Sequence, residues 1–307
     1  MNPSKILITG ATGFIGRRVL SFAKLQGHYV RLLARSKVAD EETILCDLSK
    51  EDSIPPHALH GIDSVFHLAG LAHELRDDSS VEDIYRSVNV EATNRLGELA
   101  AQNGVASFVF VSSIKAGGSA IDDHCMTEVD QAEPDGIYGK TKREAELRLL
   151  EIGEQSGINV SIVRPTLVYG PTVKGNLRAM LALLEKGRFP PLPDVRNRRS
   201  MIHVDDLVQA IFLLHNNRQS IGQIFIAADG MAYSSREIYK QLCYSLGKSP
   251  ASWAVPKFVF DLLGMINSGM KQKFDKLFCD AYYSSEKLRA IGFRPKQTLS
   301  QINENLF

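Results

Sequence analysis

A glycine-rich turn between an apolar run and an amphipathic segment constrains the fold of this chain more than any other feature. Residues 5–9 are mostly apolar, and Thr9-Gly10-Ala11-Thr12-Gly13-Phe14-Ile15-Gly16 overlaps their end, with the glycines three apart. The first glycine permits a tight turn, the second lets a pyrophosphate reach backbone N–H groups, and the third allows close packing of helix on sheet. A turn without a ligand has the same spacing, but the position between strand and helix favours dinucleotide binding. The expected contacts are Gly10, Thr12, Gly13, Phe14, Ile15 and Gly16.

The same alternation of strand and helix continues along the chain. Apolar runs at residues 29–34, 64–68, 107–112, 159–164 and 223–227 are bounded by Gly, Asp, Asn or Ser. Such runs are typical of strands buried on both faces of a parallel sheet. Helical patterns at 15–26, 84–103 and 138–155 separate them, and several end at a glycine. This order predicts an α/β fold with a Rossmann-type, doubly wound parallel sheet.

The rhythm weakens after Arg164, where a smaller second lobe is expected. Residues 170–200 are rich in Pro, Gly and Arg, a helix is predicted at 203–217, and short helical patterns begin near residue 235. We therefore expect an NAD(P)-binding Rossmann domain in residues 1–168, with about 200–230 returning to the sheet. Residues 169–199 and 231–307 would form a C-terminal substrate-binding lobe.

Charge and cysteine content exclude several classes of partner and site. The 307 residues include 36 Lys and Arg against 35 Asp and Glu, a formal net charge of +1. This balance predicts neither a nucleic-acid nor a membrane partner. The cysteines form no CxxC pair and the eight histidines no HExxH spacing, so we expect no metal and reduced thiols at Cys46, Cys125, Cys243 and Cys279.

The N-terminus runs from Met1 directly into the first apolar run, without the longer apolar core of a signal peptide. No stretch of the sequence approaches the ~20 apolar residues of a membrane span. These features predict a cytoplasmic globular protein, and the motifs below make it an enzyme.

The end of the second predicted strand bears on the choice of dinucleotide. An acidic residue there would bind the adenosine ribose hydroxyls and repel a 2′-phosphate, whereas an arginine would accept that phosphate. Here Arg35, Ser36 and Lys37 follow Ala34, and the acid is absent. A solvated basic turn is the alternative interpretation. We expect Arg35 and Ser36 to favour NADP(H), with NAD(H) as the alternative cofactor.

With its later motifs, the sequence resembles the extended short-chain dehydrogenase/reductase family, of the NAD-dependent epimerase/dehydratase type. Besides the glycine loop, the matching motifs are Cys46-Asp47-Leu48, His67-Leu68-Ala69-Gly70, Ser112-Ser113, Tyr138-Gly139-Lys140-Thr141-Lys142, Arg164-Pro165-Thr166-Leu167-Val168-Tyr169-Gly170-Pro171 and Arg199-Ser200-Met201-Ile202-His203-Val204-Asp205-Asp206. The resemblance implies that Asp47 and Leu48 bind the adenine end of the cofactor. It also implies that Leu68, Ala69 and Gly70 line the cofactor, with Pro165 near the nicotinamide.

A catalytic triad is predicted from both chemistry and this resemblance. Tyr138 and Lys142 are four apart in a helical pattern, so both project from one face. A phenol with a pKa near ~10 is a poor base at neutral pH, but an ammonium and an oxidised nicotinamide beside it favour the phenolate. Ser113 precedes Tyr138 by the interval common in the family. A chance Tyr-x-x-x-Lys is the alternative, which the glycine loop and Ser113 argue against.

Five further polar residues carry weaker assignments. His67 is expected to be a packed core histidine, and His73 is a candidate for the border of the substrate pocket. Asn89 resembles a family position that orients active-site backbone or water. The resemblance also implies that Asn176 and Arg199 grip the diphosphate of a nucleotide-linked substrate.

The substrate is where the sequence is least specific. Leu167 replaces the asparagine found in many epimerases, and Lys115 is unusual for a galactose-type epimerase. Together with Ser113 and the segment 197–200, this resembles the bacterial UDP-N-acetylquinovosamine dehydrogenase-like proteins. The leading expectation is an NAD(P)-dependent 4-ketoreductase/dehydrogenase acting at C4 of a nucleotide sugar, a UDP-6-deoxy-N-acetylhexosamine. The alternatives are a UDP-sugar 4-epimerase and a non-catalytic NADP(H)-binding protein.

The resemblance also implies a homodimer. Helices near 90–103 and 138–155 correspond to the pair that forms a four-helix interface in many relatives. The expected apolar contributors are Leu96, Leu99, Leu147 and Leu150, some of which must face the sheet.

Overall fold

The computed structural model describes residues 3–50, 53–72, 79–121 and 123–301. Within them, seven parallel strands form one sheet in the order β3-β2-β1-β4-β5-β6-β9, and β7 pairs with β8 in a separate parallel ladder. The strands are β1 Lys5–Thr9, β2 Tyr29–Ala34, β3 Glu42–Leu45, β4 Ser64–His67, β5 Ser107–Val111, β6 Asn159–Pro165, β7 Leu167–Tyr169, β8 Met201–His203 and β9 Gln223–Ala227. The predicted Rossmann-type parallel sheet is confirmed.

Helices cover both faces of this sheet and build the second lobe. They are α1 Phe14–Leu25, α2 Ser79–Arg86, α3 Ala92–Gln102, α4 Gly136–Ser156, α5 Gly175–Glu185, α6 Val204–Asn216, α7 Ser235–Ser245, α8 Lys257–Ile266, α9 Ser268–Phe278 and α10 Glu286–Ala290. The helix expected at 84–103 is divided by a π-helical turn at Ser87–Glu91. None of the helices in the described part of the chain is long and apolar enough to cross a membrane.

Alternate side chains of the central strands enter two separate cores. Ile6 and Ile8 of β1 pack in the layer of α1 and α6, whereas Leu7 packs in the layer of α3 and α4. This alternation is the period of two that an extended chain imposes. Leu96 and Leu99 of α3 are buried in the second layer. These two are therefore the leucines of the expected dimer seam that face the sheet, because α3 turns their side chains toward it.

The second lobe has its own apolar core, formed by side chains of β7, β8, α5, α7, α8 and α9. Short backbone bridges lie within this lobe, and one connects it to the segment that precedes α4. Arg199 pairs with Tyr233 and Ala281, and Met126 pairs with Tyr283. The stretch around residues 281–283 thus joins the loop after β5 to the lobe that follows β6.

Candidate active site

Because the seven strands are parallel, their carboxyl ends lie along one edge of the sheet, where ligands bind in open α/β folds. The residues expected at the site follow different strands of this edge. In strand order they are Asp47 after β3, Arg35 after β2, the glycine loop after β1, Leu68–Gly70 after β4, Ser113 after β5 and Pro165 at the end of β6. The order of strands therefore brings together segments that are far apart in the sequence.

The glycine loop forms a cradle in which two positions, Gly10 and Gly16, leave no room for a side chain. Gly10 has a φ of +72°, and a Cβ placed on it would lie 2.7 Å from the Ala69 nitrogen. A Cβ on Gly16 would overlap the Gly10 carbonyl oxygen. Gly13 is the N-cap of α1 and, as a glycine, supplies no side-chain hydrogen bond to the first N–H groups of that helix. A close backbone approach beside the N-terminus of a helix fits a pyrophosphate, so these residues could hold a dinucleotide.

The three remaining loop residues occupy different environments. Thr12 is exposed, while Phe14 and Ile15 are half-buried. The Thr12 carbonyl accepts a hydrogen bond of 3.2 Å from Nε of Arg17. The first turn of α1 contains no acidic side chain that would repel a phosphate.

A buried polar chain fixes the strand end beside the cradle. Thr9 Oγ1 lies 2.6 Å from Nδ1 of His67 and accepts a 3.1 Å hydrogen bond from the Ala69 N–H. His67 Nε2 lies 2.8 Å from Thr93 Oγ1, and the imidazole stacks on Phe110. Burial lowers the pKa of His67 to about 3, so the ring is neutral. His67 is a packed core residue, as expected.

The backbone after β4 is held against α4 by Asn89, which lies in the π-helical turn. Its Oδ1 accepts a 2.8 Å hydrogen bond from the Leu71 N–H, and its Nδ2 donates to the Leu71 carbonyl and to Thr141 Oγ1. A Cβ on Gly70 would lie 3.1 Å from Asn89 Oδ1 and 3.2 Å from Lys142 Nζ. The glycine therefore permits close contact between this strand end and α4.

Ser113 and Tyr138 meet as expected for a catalytic pair. Ser113 has extended backbone two residues after the end of β5, and Tyr138 lies in the first turn of α4. Burial raises the pKa of Tyr138, while a hydrogen bond with Ser113 opposes that rise. Desolvation disfavours the charged form, so the protein alone holds the phenol protonated, and the expected shift toward phenolate includes the charge of a bound oxidised nicotinamide. Tyr85, buried in α2, also raises this pKa and has no motif to mark it in the sequence.

Lys142 lies one turn along the same helix and is fully desolvated. Its Nζ donates a 3.0 Å hydrogen bond to the Val111 carbonyl and lies 4.4 Å from the centroid of the Phe110 ring. Burial lowers the pKa of Lys142 to about 8, and the negative charge of Glu146 opposes the shift. A pKa near that value keeps the side chain mainly protonated at neutral pH.

A buried ion pair lies one further turn along α4. Glu146 accepts hydrogen bonds of 2.9 and 2.6 Å from the Arg164 guanidinium, and the two side chains are 1% and 3% exposed. Gln131 Oε1 accepts from the guanidinium groups of both Arg143 and Arg164. The pair fastens α4 to β6. Sequence reasoning missed Glu146, although its position four residues after Lys142 places it on the same helix face.

The end of the cradle where the adenosine is expected carries polar, exposed side chains. Arg35 and Ser36 are exposed after β2, and Asp47 is half-buried after the neighbouring strand β3. The Ser49 hydroxyl lowers the pKa of Asp47 most strongly, with a smaller contribution from Arg35. Arg35 and Asp47 thus lie close enough for their charges to interact.

The residues expected at the diphosphate lie in the second lobe. Asn176 is exposed at the second position of α5. Arg199 Nη1 donates to the backbone carbonyls of Lys276 at 2.6 Å and Cys279 at 3.4 Å, and so caps the end of α9. Part of this guanidinium is therefore already engaged within the protein. His73 lies outside the described residues.

Residues 6–228 match the NAD dependent epimerase/dehydratase family. The chain is 32% identical to a UDP-glucose 4-epimerase of Vibrio cholerae, over 97% of this chain and 93% of that protein. It is 28% identical to an N-acetyl-alpha-D-glucosaminyl-diphospho-ditrans,octacis-undecaprenol 4-epimerase of Escherichia coli O157:H7, over 96% of this chain and 92% of that protein. The solved structure of MoeE5 in complex with UDP-glucose and NAD superposes with a TM-score of 0.78 at 25% identity, covering 97% of this chain and 95% of that one.

The ion pair beneath Lys142 predicts an unequal response to two similar substitutions on α4. Glu146→Gln removes the counter-charge of a buried guanidinium, and we expect the free energy of unfolding to fall by roughly 3–5 kcal/mol. Glu144→Gln is the matched control, because Glu144 pairs in the same bidentate way with Arg86 but both side chains are 30–40% exposed. That change should cost less than about 1 kcal/mol. Urea unfolding followed by circular dichroism measures the unfolding free energy of both variants. Equal decreases would contradict the prediction that the buried ion pair is the more costly one to break.

Proposed function

The chain belongs to the NAD dependent epimerase/dehydratase family and is an NAD-dependent enzyme, and we propose that it transfers a hydride at C4 of a UDP-linked sugar. The observation that carries this proposal is the hydrogen bond between Ser113 and Tyr138, one helical turn from the buried ammonium of Lys142. These groups lie at the same sheet edge as the glycine cradle. A protein that only binds the dinucleotide needs no such triad.

The cofactor, when bound, supplies the hydride that C4 of the sugar receives. Tyr138 donates its hydroxyl proton to the C4 oxygen, so the carbonyl becomes an alcohol. Ser113 hydrogen-bonds that oxygen and orients it. After this transfer Tyr138 is a phenolate, which the Lys142 ammonium stabilises until a proton from solvent restores the hydroxyl. Because burial raises the pKa of Tyr138, the residue starts protonated at neutral pH, as a proton donor must.

For the net reaction, we propose 4-ketoreduction of a UDP-4-keto-6-deoxy-N-acetylhexosamine. Two residues support it over internal recycling of the hydride. Arg35 occupies the place of the acidic residue that binds the ribose, which suits an exchanged NADPH. Leu167, the first residue of β7, stands where many epimerases have an asparagine. The second candidate is a 4-epimerase, which is favoured by the two 4-epimerases among the relatives.

The two candidates differ in whether the dinucleotide is consumed. A reductase should oxidise one NADPH for each UDP-4-keto sugar reduced. An epimerase must oxidise and then reduce the same sugar, so it should interconvert UDP-glucose and UDP-galactose at constant nicotinamide absorbance. Following absorbance at the nicotinamide band, with product analysis by chromatography, separates them. Epimerisation without net NADPH oxidation would reject the reductase and establish the second candidate.

The role of Tyr138 is tested by removing one oxygen atom. Tyr138→Phe keeps the ring and its packing but lacks the proton donor, so turnover should fall roughly 10²–10⁴-fold while cofactor affinity stays unchanged. Lys142→Met should lower turnover and also weaken dinucleotide binding, measured by fluorescence titration. A Phe variant with near-normal turnover would refute the assigned chemistry.

We further propose NADP(H) preference, carried by Arg35 and Ser36. These side chains are exposed beside the end of β2 and could give a 2′-phosphate charge-assisted hydrogen bonds of about 1.5–3 kcal/mol each. MoeE5 is described with NAD, so the alternative cofactor has direct support among similar proteins. Asp47 lies close to Arg35 and would still serve the adenine end.

The double variant Ala34→Asp/Arg35→Asn tests this preference. It supplies a carboxylate for the ribose hydroxyls and removes the guanidinium, so the ratio of the two dissociation constants should move toward NAD(H) by at least tenfold, or ~1.4 kcal/mol. Arg17→Asn is a control, since Arg17 lies on the exposed face of α1 beside the same loop. If wild type binds both dinucleotides equally, Arg35 has no part in selection.

Two structural proposals accompany this function. Asn176 and Arg199 are proposed to hold the substrate diphosphate, Arg199 with the guanidinium nitrogens that do not cap α9. A homodimer is proposed through α3 and α4, with Leu147, which is 61% exposed, as an apolar contact in place of the buried leucines of α3.

A further inference from the structure

Helix α8 has two apolar faces, of which only one packs against the protein. Phe260 is buried and lies in edge-to-face contact with Phe274 and Phe278 of α9. On the opposite side, four large side chains are exposed at positions i, i+4, i+7 and i+8. This outer stripe consists of Phe258 (68% exposed), Leu262 (57%), Met265 (83%) and Ile266 (78%). Such spacing places the four on one strip of the helix surface.

The stripe ends at the tip of a helical hairpin. Asn267 is the only residue between α8 and α9. The two helices cross closely at Gly264, where a Cβ would lie 3.3 Å from the Lys271 Cα. Leu263, which neighbours the stripe in the sequence, is also exposed, at 39%. The exposed apolar side chains therefore run along one strip of α8 up to the turn into α9, and a large exposed apolar patch marks an interaction site.

The charge beside the stripe is positive. Helix α9 carries Lys271, Lys273 and Lys276 against the single acid Asp275, a net +2 within 11 residues, whereas the whole chain is only +1. The one acid of α8, Asp261, is neutralised by Lys257 at 2.7 Å. Trp253, four residues before α8, is 62% exposed. Apolar residues, an exposed indole and adjacent lysines are the composition of a segment that lies at a membrane surface.

We propose that the α8–α9 hairpin docks this protein on an anionic lipid bilayer, with the outer stripe inserted at headgroup level and the α9 lysines against the lipid phosphates. A second copy of the chain fits this surface less well, because pairing of two hairpins would bring two +2 helices together. The hairpin lies on the surface and does not span the bilayer. This departs from the expectation of no membrane partner, which rested on the charge of the whole chain.

Vesicle sedimentation with the full chain tests the docking. Wild type should sediment with phosphatidylglycerol vesicles and much less with phosphatidylcholine vesicles, and salt should release it. Met265→Ser/Ile266→Ser should lower the partition coefficient at least about tenfold, since two exposed apolar side chains are lost from the interface. Lys271→Glu/Lys273→Glu should lower binding by a similar factor and reduce its salt dependence.

A matched control distinguishes binding through this surface from nonspecific hydrophobic adsorption to the vesicles. Leu25 and Val129 are 79% and 87% exposed, so Leu25→Ser/Val129→Ser removes two apolar side chains of comparable exposure elsewhere. The control should bind vesicles like wild type. Absence of wild-type binding, or an equal loss in the control, would overturn the proposal. So would light scattering without lipid that shows association of wild type abolished by Met265→Ser/Ile266→Ser, because the occupant would then be a second copy.

The docking is independent of the chemistry at C4. Met265→Ser/Ile266→Ser should retain wild-type turnover with a soluble nucleotide sugar, because both residues lie outside the candidate active site. Retained turnover together with lost vesicle binding would support a role of the hairpin in lipid binding and not in catalysis.

Discussion

Three polar side chains on one face of α4 determine how the candidate active site is assembled. Tyr138, Lys142 and Glu146 follow one another at intervals of four residues; Lys142 and Glu146 are buried and Tyr138 is half-buried. A helix can bury such a polar face only where each group finds a hydrogen-bond or ion-pair partner. Ser113 and the Val111 carbonyl of β5 serve the first two, and Arg164 of β6 serves the third. The position of α4 against these strands is thus set by polar contacts as much as by its leucines.

This arrangement explains why the ammonium tolerates burial. Lys142 is fully buried, and desolvation alone would favour its neutral form. Glu146 opposes that effect, while its own charge is neutralised by Arg164. Gly70 leaves room for Nζ beside Asn89, so the ammonium reaches the edge where the cofactor would lie. The charge needed beside Tyr138 therefore depends on residues that never approach a substrate.

The sequence predicted the sheet well, because strands buried on both faces are continuous apolar runs. β1, β2 and β9 begin and end where expected. The strand Glu42–Leu45 was placed only through the motif that follows it, since its side chains are half-exposed and give no apolar run. The π-helical turn that carries Asn89 was also missed. No local signal marks it, because it depends on contacts with the Leu71 backbone and Thr141.

The residues of the candidate site could be predicted where they belong to a sequence motif. They could not be predicted where two side chains that pair in the fold lie far apart in the sequence. Ser113, Tyr138 and Lys142 belong to motifs, but the pairing of Glu146 with Arg164, 18 residues later, requires the fold.

Electrostatics also depended on three-dimensional context. An ammonium and a bound oxidised nicotinamide were expected to favour the phenolate of Tyr138. In the protein alone, Lys142 Nζ donates to the Val111 carbonyl and desolvation raises the pKa of the phenol. Net charge is likewise a property that depends on the fold for its local meaning. A chain of charge +1 can still concentrate positive charge on one helix, as α9 does beside an exposed apolar stripe. Whole-chain averages describe solubility, whereas binding depends on which charges the fold places together.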